Sequence, residues 1–84
     1  MPKLPILAGR IVVAALEKLG FSRARQRGSH LVMKRVARTT DVCVVPLHKE
    51  VAVGTLRSVL RQAGVEPEEF LKVLTSKVGK KRSQ

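Results

Sequence analysis

Between Gly9 and Gly20 the apolar positions Val12, Ala15, Leu16 and Leu19 recur at i, i+3, i+4 and i+7, the spacing that lines one face of an α-helix. The pattern predicts a helix from about Gly9 to Leu19, with Gly20 standing where helix C-termini favour glycine. Ile11, Val12 and Val13 are β-branched, so this helix draws its stability from packing rather than propensity. The period then changes to two. Phe21 to Arg27, His30 to Arg35 and Asp41 to Val45 read as the strands of a meander, joined by the turn Gly28-Ser29 and by a looser link from Val36 to Thr40. In the second strand His30, Val32 and Lys34 share one face, and Leu31, Met33 and Arg35 the other. Both faces carry a long apolar residue, so alternation alone leaves open which one meets the helices. Pro46 ends the third strand.

The helical period returns with Leu56, Val59, Leu60 and Ala63, which predicts a second helix with Thr55 as N-cap, Gly64 as its stop and Arg57, Arg61 and Gln62 on its polar side. A short last helix starts at Pro67, with Glu68 and Glu69 in its first turn and Phe70, Leu71 and Leu74 docking it. Residues 77–84 are dominated by Lys77, Lys80, Lys81 and Arg82 and read as a disordered basic tail. The expected organisation is thus one domain over 1–76 followed by that tail.

Composition sharpens this picture at two points. In 84 residues there are two Phe and no Trp or Tyr, so the core is built mostly from Leu, Val, Ile and Ala. Seventeen basic against six acidic residues give a net charge of +11, which favours an anionic partner: nucleic acid, an anionic membrane or an acidic protein. Cys43 has no partner for an internal disulfide and sits in an apolar strand, which fits a buried thiol and a reducing, cytoplasmic setting. The apolar stretch from Leu4 to Leu16 is interrupted by Gly9-Arg10 and ended by Glu17-Lys18, unlike a secretory signal. No segment is long enough to span a bilayer.

Both histidines lie in short strings that stand out from the rest, Gln26-Arg27-Gly28-Ser29-His30 and Val45-Pro46-Leu47-His48-Lys49-Glu50. Histidine exchanges a proton near neutral pH, and Arg23, Arg25 and Arg27 supply charges that hold phosphate beside His30. A histidine at a strand start is also commonly a plain surface residue, and His48 in its loop reads more readily as structural than catalytic. Other chemistries lack their residues. Two histidines and one cysteine without ligand spacing make no zinc site, and one aspartate with clustered glutamates makes no two-metal nuclease, so no metal or small-molecule cofactor is expected. Neither Gly54-Thr55 nor Gly79-Lys80-Lys81 has the surroundings of a phosphate loop, and no aromatic residue is free to stack bases.

These strings, together with Leu7, Gly9 and Arg10, Leu16-Glu17-Lys18-Leu19-Gly20-Phe21, and the run from Gly54-Thr55-Leu56 to Gly64, resemble the HicA family of small mRNA-interferase toxins over about residues 4–74. The resemblance implies an α+β fold like a double-stranded-RNA-binding domain: a three-stranded antiparallel sheet with helices on one face, in the order α-β-β-β-α plus a short C-terminal helix. It implies that His30 is catalytic and that a HicB-like antitoxin neutralises the toxin by covering its active surface. Two departures stand out. Ala8 replaces the serine common before the glycine of the first helix, and Ser22 to Ala24 is less apolar than the pattern leads one to expect.

The leading expectation is a metal-independent endoribonuclease toxin acting on mRNA. His30 serves as general acid or base, Arg25, Arg27, Lys34 and Lys49 neutralise phosphate, Gln26 or Ser29 donates a hydrogen bond, and Gly28 and His48 support. The alternatives are a non-catalytic RNA-binding module of the same fold, or a basic protein whose ligand is an acidic protein.

Overall fold

Leu31 and Met33, not Val32, turn toward the helices: both are buried while Val32 stays half-exposed, which decides the face that the sequence left open. The structure is a computed structural model and describes residues 3–75. Its elements run α1 (Gly9–Lys18), β1 (Ser22–Arg27), β2 (His30–Val36), β3 (Thr40–Pro46), α2 (Val53–Ala63) and α3 (Pro67–Thr75). The sheet is antiparallel in the order β1-β2-β3, the α+β arrangement expected. The anticipated basic tail at 77–84 lies outside the described residues.

Strand pairing fixes which side chains share a face, because directly opposed residues of antiparallel strands project the same way. Met33 lies opposite Arg23 and Cys43, and Leu31 opposite Gln26 and Val45, on the helix side. His30 lies opposite Arg27 and Pro46, Val32 opposite Arg25 and Val44, and Lys34 opposite Ser22 and Val42, on the outer side. An irregularity between Arg23 and Arg25 gives β1 one residue more than β2 across from it. That insertion is why Arg23 and Arg25, although two apart in sequence, end on opposite faces.

The core gathers Val12, Val13 and Leu16 of α1, Leu31 and Met33 of β2, Cys43 and Val45 of β3, Leu56, Val59 and Leu60 of α2 and Phe70 of α3. Every residue of β1 is exposed, so the helices cover β2 and β3 and leave the helix side of β1 bare. Arg35 fastens the end of the sheet far from the histidines. It pairs with Asp41 at 3.1 Å, donates to the carbonyl oxygen of Leu19 at 3.1 Å and lies 4.6 Å over the ring of Phe21. At the outer edge of β3, Gln62 of α2 accepts a hydrogen bond from the main-chain N–H of Val44 at 3.1 Å.

Several boundaries differ from the sequence reading, α1 ending at Lys18 and β1 starting at Ser22 by a single residue each. β2 runs to Val36 and β3 begins at Thr40, with the N–H of Ala37 bonded to the carbonyl of Thr39, so the loose link is a tight hairpin end. Pro46 is the last residue of β3 rather than its terminator, tolerated because its nitrogen, like that of Val44 two residues earlier, faces the outer edge of the sheet and not β2. Thr55 is not an N-cap. Val51 is bridged to Leu7 by its N–H at 2.7 Å, and the chain turns helical as soon as it leaves that bridge, with Ala52 as N-cap and no side-chain cap. Ala8, as the sequence suggested, starts α1 without a side-chain cap.

Candidate active site

Gly28 takes φ 57° in the β1–β2 turn, a left-handed conformation that costs glycine nothing, and Gln26 braces the turn by donating from Nε2 to the Gly28 carbonyl at 2.9 Å. His30 follows at the first position of β2. The chain leaving β3 then crosses directly behind this turn, where the N–H of Leu47 bonds the Ser29 carbonyl at 2.6 Å. One residue later the carbonyl of His48 accepts from the N–H of Gly9 at 2.9 Å. Glycine is required there, since a Cβ at Gly9 would collide with the Pro46 carbonyl oxygen and lie 2.8 Å from the Leu47 Cα. Main-chain bonds from two other segments therefore hold His48 against His30.

The rings meet edge to face, with centroids 6.3 Å apart and planes at 65°. Both are exposed, and together they line a cavity of about 390 Å³ whose walls include Pro46, Glu50, Ala52 and Thr55. Ala52 is the N-cap of α2 and Thr55 lies in its first turn, whose leading N–H groups have no partner within the helix and favour an anion. Thr55 thus serves the cavity rather than the helix cap. The string Gly54-Thr55-Leu56 signalled a helix start but not what that start faces, because the neighbour comes from elsewhere in the chain.

Of the basic residues singled out from sequence, Arg27 sits directly across from His30, and Arg25 and Lys34 continue along the same outer face. Four residues of strand at about 3.3 Å each put Lys34 roughly 13 Å from His30, beyond reach of a shared phosphate. None of these three cations has a hydrogen bond or ion pair among the described residues. Gln26 is on the helix side and its amide is committed to the Gly28 carbonyl. Ser29 contributes its carbonyl to Leu47, and its hydroxyl makes no hydrogen bond among the described residues. Lys49 belongs to a second cavity, lined also by Arg10, Arg23 and His48. Among the described residues no group of three or more His, Cys, Asp or Glu is arranged to hold a metal.

A three-stranded antiparallel sheet between an opening and a closing helix, with a histidine behind a Gly-Ser turn, defines a small α+β domain consistent with the double-stranded-RNA-binding type. Comparison with protein families matches residues 9–65 to one described as HicA toxin of bacterial toxin-antitoxin. The match takes in more than half of the chain, including both histidines and the start of α2, and the chain belongs to this toxin family. No curated protein matches it. No helix among the described residues is long and apolar enough to cross a membrane.

Proposed function

We propose that this toxin is a metal-independent endoribonuclease that cleaves mRNA in the cytoplasm by acid–base catalysis at His30, with His48 supplying the second proton transfer. The observation that carries this reading is the His30–His48 pair, two rings 6.3 Å apart that line one cavity. Cleavage without a metal needs a base for the 2′-hydroxyl and an acid for the leaving oxygen. A single imidazole is not both at once. Groups that each reach one oxygen of the same phosphate by a hydrogen bond of about 3 Å must sit about a phosphate apart, and this pair does.

The neutral ring takes the proton of the 2′-hydroxyl as that oxygen bonds to phosphorus. The P–O5′ bond breaks with its electron pair, and the protonated ring delivers its proton to O5′. The products are a 2′,3′-cyclic phosphate and a 5′-hydroxyl, and the pair is left with its proton exchanged. The direction in which the strand crosses the cavity decides which ring plays which part. Arg27 and the first turn of α2 counter the charge on the phosphate, while Arg25 and Lys34 hold phosphates further along the outer face. Membership of a toxin–antitoxin family supports an inhibitory protein partner. A HicB-like, acidic antitoxin that covers the histidines and the arginines of β1 is the form this reading gives it.

The test is cleavage of a synthetic RNA in EDTA by the wild type, His30→Ala and His48→Ala. Each variant should lose about 10²- to 10⁴-fold in rate while its circular dichroism and RNA affinity persist, and the product should carry a cyclic phosphate. Unaltered cleavage by His30→Ala would sink the proposal. Loss with His30→Ala but not His48→Ala would leave a ribonuclease without the second histidine.

A further inference from the structure

The cavity on the helix side of β1 lies outside the histidine site and shares with it only His48. It measures about 620 Å³, within the size range of small-molecule sites. It exists because β1 projects beyond the helices: every β1 residue is exposed, and the helix-side position opposite Met33 holds Arg23 where a covered strand would hold an apolar residue.

The lining divides into two chemistries. Leu47, with the buried Val13 and Leu31 beneath it, forms an apolar floor, and Arg10, Arg23 and Lys49 form a cationic rim without a carboxylate among the lining residues. Arg10 and Lys49 have no hydrogen bond or ion pair among the described residues. Arg23 uses only its Nε, on Glu17 at 3.2 Å, which leaves its terminal nitrogens without a described partner. An apolar floor under two unpaired cations and an arginine whose terminal nitrogens are uncommitted suits a ligand with a flat, weakly polar body and a phosphate, which is the chemistry of a nucleotide.

Position adds a second constraint. His48 walls both cavities, so a strand whose phosphate lies between the histidines passes over that ring directly into this one. We infer that the cavity is a nucleotide subsite, seating the base of the residue adjacent to the scissile phosphate on Val13, Leu31 and Leu47 while Arg10, Arg23 and Lys49 hold the next phosphate. This rests on the ribonuclease reading for the role of the subsite, though not for its ability to bind a nucleotide. The site contacts RNA on the side of the sheet opposite Arg25, Arg27 and Lys34. The substrate therefore wraps the end of the sheet that carries the β1–β2 turn instead of lying flat on one face.

The experiment has a binding arm and a cleavage arm. In the first, the full chain is titrated with AMP and UMP under methyl and amide NMR. Shifts at Val13, Leu31 and Leu47, weakened about tenfold in Arg10→Gln or Lys49→Gln by loss of a charge-assisted phosphate contact, support the subsite. Shifts confined to His30 and Thr55, or unaffected by both substitutions, overturn it. A glutamate-rich peptide that moves the Leu47 methyls when neither nucleotide does also overturns it, in favour of a protein-binding pocket. In the second arm, kcat/KM is compared for a dinucleotide and a hexanucleotide. The advantage of the longer RNA should shrink about tenfold in Arg10→Gln. An undiminished advantage overturns the subsite and leaves the ribonuclease reading intact. A wild type that cleaves neither RNA yet binds AMP over Leu47 sinks the ribonuclease reading alone.

Discussion

The main-chain N–H of Leu47 donates to the carbonyl of Ser29 at 2.6 Å, joining the two histidine-bearing strings one residue away from each histidine. That bond makes the relative placement of His30 and His48 a property of the backbone. Exposed rings positioned by their own contacts would wander; these are carried on main chain that is pinned on both sides.

The same logic gives Gly9 a part in the site without contact to either ring. In Gly9→Ala the new methyl meets the Pro46 carbonyl, and overpacking of this kind costs about 1–3 kcal/mol. Relief by moving α1 away from the loop lengthens the Gly9–His48 bond. Thermal unfolding should shift down by several degrees, and kcat on a short RNA should fall more than the modest loss of stability accounts for. A variant of normal stability and normal kcat would show that the loop is held by other means.

Removing the Arg35–Asp41 ion pair tests the opposite end of the sheet. Each partner is about one quarter exposed at 24% and 26%, so Asp41→Asn should cost about 1–2 kcal/mol, less than a fully buried charge-assisted bond. Because the pair is remote from His30, denaturant midpoints should move while RNA cleavage at 25 °C stays unchanged.

Cys43 is buried in the middle of β3, and burial pushes its thiol up from 9.0 to about 11, against a smaller opposing pull from Arg35. The folded chain should resist thiol reagents at pH 8 and react at once in denaturant. The folded state holds the proton more tightly than the unfolded state. This contribution to stability is therefore unchanged below about pH 9 and lost as pH rises from about 9 toward 11. Cys43→Ala or Cys43→Val should remove that part of the alkaline loss, as read from urea midpoints across the same pH window.

Binding to RNA should weaken steeply with salt, since each phosphate neutralised on a single strand contributes a slope of about −0.7 in log affinity against log salt. Replacing Arg25 and Arg27 together should flatten that slope by one to two contacts. Equal slopes in the two proteins would remove these arginines from the interface.

An antitoxin that works by occlusion should protect amides from Arg25 to Lys34 and around His48 in hydrogen exchange, and should associate more slowly as ionic strength rises. Protection restricted to α3, with the β1–β2 turn still exchanging freely, would point to inhibition from a distance.

Much of the fold was legible because it is local. The Val12 to Leu19 stripe, the period-two strands and the Leu56 to Ala63 stripe each follow from spacing, and each element formed within about one residue of its expected limits except the start of α2, which lies three residues earlier than expected. Val32 and Met33 were not distinguishable as inside or outside, since the decision depends on where the helices lie. Thr55 was misplaced because the start of α2 is fixed by the Val51–Leu7 bridge across the chain. His30 stood out from its turn, whereas His48 owed its weight to Gly9 and Ser29, residues far from it in sequence. The cavity beside Arg23 had no sequence signal at all, because it arises from β1 extending past the helices.

The bond from Val44 to Gln62 has a further effect on how the molecule meets others of its kind. With α2 along the β3 margin, one sheet margin remains for lateral growth, and three of its six residues are arginine, with a bulge among them. A second copy arriving in register would bring the same charges and be repelled. A concentrated solution of this toxin, for all its β-structure, should be colloidally stable at low salt and begin to self-associate only when counterions or polyanions mask that margin.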